Sequence, residues 1–563
     1  MVFSVRKSPA LKAVLIFCVI LPLLAIAGGV LGGQSLATSP LFSADRLMAH
    51  IRALSSDEFE GRGPGAKGEE VTIAYLQKQY RDLGLEPGNP DGTYLQAVPL
   101  VGTRPDPNMK LTFTGHGKTM QLAFEKDFVA QTRRTVDSVH LDADMIFAGY
   151  GVQAPEYKWD DFKGVDVKGK VIVVLINDPP VPDERIFGGK AMTYYGRWTY
   201  KYEKAAELGA AGCLIVHETG PAGYPWDVVR DSWSGEAFNL VSADKNMHRA
   251  AVEGWITHEQ AQALFKVAGL DFEAEKKRAV SPDFHPVPLG MKAQLDIHNT
   301  LRTIQSHNVI AKRTGSDPSL KNQYVIYSAH WDHFGIGPEV NGDKIYHGAL
   351  DNASGTAALL EIAGAYAQLK PENAPKRTII FLSVTAEEQG LLGSEYYAEH
   401  PLYPVARTAA NINMDGMNVW GKTKDITEIG KGKSTLDEVV AEVAREQGRT
   451  VRTDPEPEKG FYYRSDHFSF AKVGIPAFDP DAGIDFVGKP EGWGLKKRDE
   501  YTANDYHKPS DVIKPDWDLS GAVQDCQLYF LVGYRVANAP KMPEWKPTAE
   551  FKAIREESLR SAK

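Results

Sequence analysis

The stretch TIIFLSVTAEE, residues 378–388, joins an unbroken apolar and β-branched run, Thr378–Val384, to the carboxylate pair Glu387-Glu388 just beyond it. A strand with one wet face would alternate polar and apolar residues. This run does not, so it predicts a strand covered on both sides, as in a sheet flanked by helices. The same pattern recurs outward along the chain. Tyr324–Ser328 is an apolar strand followed by His330-Trp331-Asp332. Ala409–Met414 is a weaker strand followed by Asp415, and Ile475–Phe478 another. Between them Leu359, Ile362, Ala363 and Tyr366 fall at helical spacing, and Leu436–Glu446 also reads as a helix. Strand and helix alternate from about His298 onward, which predicts an α/β fold. In such sheets ligands gather outside the carboxyl ends of the strands.

Upstream the texture differs. Arg6, Lys7 and Lys12 precede an apolar run, Ala13–Ala27, and then the small residues Gly28–Gly33. A basic start, an apolar core and small residues describe a secretory signal. The run is short for a bilayer span, which takes ~20 apolar residues; an uncleaved anchor is the alternative. Residues 1–37 are therefore expected to be a signal peptide or N-terminal anchor, and the chain to be exported, periplasmic or secreted. Leu47, Ile51 and Leu54, then Ile73, Leu76, Tyr80 and Leu83, mark two amphipathic helices. From about Leu141 a strand (Lys170–Leu175), a helix (Tyr202–Leu208), a Gly-rich turn and a second strand (Cys213–His217) suggest a small α/β domain of its own, without a metal-ligand cluster. The expected order is a first part of the main domain over 40–140, an insertion over 141–287, the metal-bearing part over 288–545 and a loose charged tail over 546–563.

The 563 residues carry a net charge of -9, which argues against a nucleic-acid binder. Of three cysteines, Cys18 lies in the signal, while Cys213 and Cys526 sit in apolar runs and read as buried free thiols. A cysteine-rich zinc site is excluded by count, so any metal must rest on histidine and carboxylate.

Taken singly, the polar residues at the strand ends are ordinary. An aspartate before a helix, such as Asp351, is usually an N-cap; adjacent glutamates are usually solvated; Asp415 before Gly416 fits a turn. Their order and their repeated placement at strand ends give them another meaning. Two divalent ions ~3.5–4 Å apart need a bridging carboxylate and a few terminal ligands. Asp351, Glu388 and Asp415 with His330 and His507 would cancel most of the charge of two zinc ions and leave room for a water. Glu387 would then be free to take the proton of that water.

These residues resemble the M28 zinc peptidase family. The resemblance rests on His330-Trp331-Asp332, Asp351-Asn352-Ala353-Ser354-Gly355, Glu387-Glu388 with Gly390-Leu391-Leu392-Gly393-Ser394, Asn413-Met414-Asp415-Gly416, and Tyr506-His507-Lys508-Pro509-Ser510-Asp511, in that order. Ser465-Asp466-His467-Phe468 and Asp57-Glu58-Phe59-Glu60-Gly61-Arg62 add to it. It implies a zinc exopeptidase (phosphorylase/hydrolase-like) three-layer fold with a mixed central sheet and two Zn²⁺ per chain. Asp351 would bridge them, His330 and Asp415 would complete one ion, and Glu388 and His507 the other. Glu387 would be general base and acid. Asp332 would orient His330, and Tyr462 would stabilise the tetrahedral intermediate. A cis peptide is expected at Asp351–Asn352. The segment from Leu141 to Val287 resembles a protease-associated (PA) domain, inserted in the peptidase fold and able to cover the cleft.

The implied activity is removal of N-terminal residues from peptides, with no nucleic acid and no stable membrane partner unless the N-terminal segment is retained. A carboxypeptidase of the same family would need arginines for a terminal carboxylate, with Arg464 and Arg498 as candidates; a silent binding protein would have lost ligands; a glutaminyl cyclase fits the insertion poorly. Leu350, His347, Gly460 and Arg464 depart from what relatives carry, and Gly488–Tyr501 has no role legible in sequence.

Overall fold

A computed structural model describes residues 41–183 and 185–562; the expected signal lies outside the described residues. The central sheet is mixed. Strand Tyr324–His330 pairs in parallel with Thr378–Val384 on one side and Thr408–Asn413 on the other, and the last of these pairs in parallel with Ala477–Asp481. Beyond Thr378–Val384 the sheet turns antiparallel, through the end of the long strand Val287–Arg313 and then Leu95–Pro105.

Strand Thr378–Val384 is buried at every residue. Its side chains alternate between two cores: Ile379 and Phe381 face one, Ile380, Leu382 and Val384 the other. The first core is filled by the helices Ala44–Leu54, Lys67–Asp82, Gly355–Ala367 and Ser520–Asn538, and the second by Tyr397 and Phe470. Helices on both faces of a mixed sheet make the three layers. Gly533 lets the helix Ser520–Asn538 sit on the sheet, since a Cβ there would lie 1.9 Å from the Tyr327 hydroxyl.

The long strand belongs to two sheets. Its later half pairs with Leu95–Pro105, while its first half pairs with Lys110–Gly115 and Ser138–Phe147 in a second sheet that also holds Val171–Leu175, Gly212–His217 and Val252–Thr257. This second lobe has its own cores, one of which runs from Met109 to Ile297. It takes in the strands from Lys110 onward, so it begins earlier than the boundary at 141 expected from sequence. Those early strands alternate exposed and buried residues, and only their pairing assigns them to a sheet. One strand, Ala237–Leu240, returns to the central sheet and pairs with Leu95–Pro105.

The C-terminal residues also depart from expectation. Trp545 and Phe551 are buried, and the helix Lys552–Ser561 is anchored by Arg555, which donates to the carbonyls of Val405 and Thr408. The surplus of charge there coats a docked helix. Among the described residues no helix is long and apolar enough to cross a membrane.

Candidate metal centre

The fold brings the strand-end residues together. His330 ends its strand; Glu387 and Glu388 form a short turn after Thr378–Val384; Asp415 follows Thr408–Asn413. Asp351 lies in the turn before helix Gly355–Ala367, and its peptide bond to Asn352 is cis. The two Asp351 oxygens face different histidines: Oδ1 is 3.3 Å from His330 Nε2 and Oδ2 is 3.4 Å from His507 Nε2. His330 Nε2 is also 3.2 Å from Asp415 Oδ1, and His507 Nε2 is 3.2 Å from Glu388 Oε2. Two half-sites thus share one carboxylate. Glu387 stands beside them with Oε2 at 3.9 Å from His330 Nε2.

Neighbouring groups hold this arrangement. The Asp511 carboxylate accepts from the backbone N–H groups of Leu350 and Asp351, each at 3.0 Å, and from the Tyr501 hydroxyl at 3.1 Å. Tyr501 lies on the helix Trp493–Asn504, so the insertion after Gly488 buttresses the shared aspartate. Arg498 of that helix is engaged by Glu456 and Asp481. Arg62 is fully buried and donates to the carbonyls of Trp331, His347 and Gly348, clamping the loops that carry His330 and Asp351.

The electrostatics follow from burial and crowding of charge. Burial opposes the imidazolium of His330, but Glu387 and Asp415 outweigh it and hold the ring well above its ordinary range. His507 is likewise penalised by burial and then raised to about 9 by Glu388 and Asp351. Burial works against the Asp351 carboxylate too, yet hydrogen bonds from both histidines hold it well below the usual range. Glu387 is different: burial raises it far above a normal carboxylate, His330 opposes, and Asp415 and Glu388 reinforce the rise. Burial thus favours its protonated form.

Asp332 is fully buried; its Oδ1 accepts from the Glu387 backbone N–H at 3.1 Å and its Oδ2 has no partner among the described residues. It is the Asp332 main-chain carbonyl, at 3.2 Å, that lies nearest His330 Nδ1; the carboxylate stands 3.9 Å away. Asp332 therefore positions the Glu387 turn at least as directly as it orients His330.

Tyr462 needs a correction. Its ring is buried against Gly430 and Phe551, with Lys433 Nζ 4.6 Å from its centre, and its hydroxyl has no partner among the described residues. Phe461–Tyr463 is a 3₁₀ turn, in which three residues complete a turn and successive side chains diverge. Both rings enter one buried cluster with Phe468, Trp545 and Phe551, and of the two it is Tyr463 that also lines the cleft, with Tyr506, which stacks on His507 at 3.7 Å. His347 is held by the Ser55 carbonyl and Asp343, outside the cluster.

Two contributors were missed in the sequence. His333 is fully buried with Nδ1 at 2.5 Å from Glu388 Oε1, and with Asp351 and Glu388 it forms a further group able to hold a metal. Its adjacency to His330-Trp331-Asp332 was the available signal. Ser232 comes from the second lobe, on the helix Trp226–Trp233, and its Oγ lies 3.3 Å from His507 Nδ1. Nothing in its sequence context marks it. Ser232→Ala is expected to weaken metal binding about tenfold, the scale of one neutral hydrogen bond to an outer-sphere group. A chelator competition titration reads this directly, and an unchanged affinity would remove Ser232 from the site.

The cluster opens into a cleft of about 730 Å³ between the two lobes, lined by Glu387, Glu388 and His507 on one side and Tyr194, Arg197 and Trp233 on the other.

Comparison with known proteins agrees with this geometry. Residues 308–531 match Peptidase family M28. "Aminopeptidase NAALADL1" of Mus musculus is 37% identical over 143 residues, 24% of this chain; the match spans only 17% of that protein. The "probable leucine aminopeptidase 2" of Aspergillus oryzae is 25% identical over 507 residues, covering 86% of this chain and 84% of the relative. A solved aminopeptidase from Aneurinibacillus sp. strain AM-1 superposes with a TM-score of 0.52 at 20% identity, covering 89% of this chain and 95% of that one. At that identity the likeness speaks for the fold.

Proposed function

We propose, from the match of residues 308–531 to Peptidase family M28, that the chain is a zinc-dependent exopeptidase that removes N-terminal residues from peptides. The observation that carries the reading is Asp351, whose two oxygens face the histidines of two half-sites, with Glu387 left beside them. Imidazole nitrogen and carboxylate oxygen are the donors zinc accepts in catalytic sites, so the residues fit. His330, Asp351 and Asp415 would hold one ion, and His507, Asp351 and Glu388 the second. When bound, the ions supply Lewis acidity toward the scissile carbonyl and lower the pKa of water toward ~7.

The chain's own residues do the rest. Glu387 has its proton affinity raised by burial, so it accepts a proton at its carboxylate and returns it to the leaving amine. Asp332 fixes the backbone of that residue. Asp511, Tyr501 and Arg62 keep the ligand loops in place. The acidic cluster also suits the cationic α-amine of a substrate N-terminus. With every expected ligand present, the silent binding-protein reading has no support in the site.

The same proposal includes export, supported by the basic, apolar and small-residue order of residues 6–33, and a PA-like second lobe that covers the cleft, supported by its Tyr194, Arg197 and Trp233 lining. A tripeptide of three different residues tests the activity. Release of the first residue, abolished by N-acetylation, is the expected result. Release of the third residue from the acetylated peptide would establish a carboxypeptidase instead.

A further inference from the structure

Four separations in the cluster are alike and a fifth is not. His330 Nε2 lies 3.3 Å from Asp351 Oδ1 and 3.2 Å from Asp415 Oδ1, and His507 Nε2 lies 3.4 Å from Asp351 Oδ2 and 3.2 Å from Glu388 Oε2. Zinc holds nitrogen and oxygen donors at ~2.0–2.2 Å in a tetrahedron, which sets the donors ~3.3–3.5 Å apart. These four pairs are therefore spaced as donors to a common ion. The fifth contact, His333 Nδ1 to Glu388 Oε1, is 2.5 Å. That is too close for two donors of one tetrahedral ion, and it fits a short hydrogen bond from a ring N–H to a carboxylate.

A carboxylate accepts, so Nδ1 carries the proton and Nε2 is the bare nitrogen. Nε2 lies on the other side of the ring, buried and without a partner among the described residues. The ring has little room to turn. His333 is fully buried, and a Cβ on Gly348 would lie 2.7 Å from its Cγ and Cδ2. The two oxygens of Glu388 thus have separate partners: Oε1 belongs to His333, and Oε2 faces His507. Asp415 is different, for among the described residues it accepts a hydrogen bond from His330 alone.

We propose that His333 holds Glu388 to a single metal-binding oxygen, so that the second half-site keeps an open coordination position. His333 is a positioning residue that acts through Glu388 and is not itself a ligand. The second ion then has His507 Nε2, Asp351 Oδ2 and Glu388 Oε2, the three protein donors of a catalytic zinc with its fourth place free. The first ion can draw on both oxygens of Asp415 and close its shell. The open place belongs to the ion beside Tyr506 and the second lobe, whose Ser232 meets the same His507. This rests on the zinc exopeptidase reading and adds to it an inequality between the two ions.

Proton NMR of the metal-free and the zinc-loaded protein reads the hydrogen bond without turnover. A ring N–H in a short bond to a carboxylate resonates far downfield of the amides. One such signal is expected in both states and should be lost in His333→Leu and in His333→Asn. A nitrogen that binds an ion carries no proton, so a His333 signal that vanishes when zinc is added would make His333 a ligand and overturn the proposal. Cobalt in place of zinc reads the donor number, because its visible absorption weakens as coordination rises. In His333→Leu the freed Oε1 can reach the ion, and the absorption per bound cobalt is expected to fall. His333→Asn, whose side-chain amide again offers an N–H, should restore the native intensity. Equal intensity in all three proteins would overturn the one-oxygen limit. Either variant assigns the NMR signal, so the test survives the failure of one to fold. A native protein that binds no zinc would instead overturn the exopeptidase reading itself.

Discussion

Glu387→Gln is expected to keep its zinc and lose about 10² to 10⁴ in kcat, the range supplied by a positioned general base. The substitution preserves shape and hydrogen-bonding size and removes only the ability to take a proton. The native carboxyl has the right environment for proton traffic. It is buried in a cluster whose other acids, Asp415 and Glu388, raise its proton affinity, and its Oε2 lies 3.9 Å from His330 Nε2. Its turn is pinned by the Asp332 carboxylate on its backbone N–H, so the variant should leave the loop where it is. A second possibility is open on geometry, because His330, Glu387 and Glu388 also lie close enough to share one ion. Zinc content decides between them. Full zinc with a collapsed kcat identifies the base; loss of zinc together with activity would make Glu387 a ligand; full zinc with an intact kcat would remove it from the chemistry.

The parts of this molecule legible in its sequence are those where one local rule suffices. Thr378–Val384 reads as a doubly covered strand because all its residues are buried and its composition says so. Once that strand is placed, Glu387 and Glu388 fall at its carboxyl end without further information. His330 and Asp415 follow by the same logic. Asp351 and His507 lie in turns, and there the ordered resemblance carried the assignment. What stayed hidden depends on distant pairing. Ser232 reaches His507 across 275 positions of sequence, and Arg197 meets the cleft only because the second lobe folds over it. The lobe boundary was misplaced because Lys110–Gly115 and Ser138–Phe147 owe their sheet to the first half of Val287–Arg313. Tyr462 and Tyr463 are adjacent and chemically alike, and both enter one buried cluster; only the fold shows that Tyr463 also reaches the cleft. The helix Lys552–Ser561 looked like a solvated tail because its anchor, Arg555, is itself charged.

Asp351→Asn should abolish zinc binding more completely than any other single change. Loss of an outer-sphere partner costs ~10–100-fold in metal affinity, and Asp351 is placed to serve both proposed ions at once. An asparagine keeps the side-chain shape but offers one neutral oxygen, so it cannot face His330 and His507 with equivalent donors. It also withdraws a negative charge from between two imidazoles that, in the chain alone, use that carboxylate to hold their protons. In the native protein, zinc at a thousand times its Kd contributes about 4 kcal/mol to stability, which appears as several degrees in Tm. The variant should show no zinc-dependent rise in Tm and no zinc after dialysis, while its Tm without metal stays measurable because the two cores beneath the site are untouched. If one equivalent of zinc survived at near-native affinity, Asp351 would be a terminal ligand and the two half-sites would be independent. If both survived, the shared-carboxylate geometry would have no bearing on metal binding, and the proposed mechanism would lose its starting point.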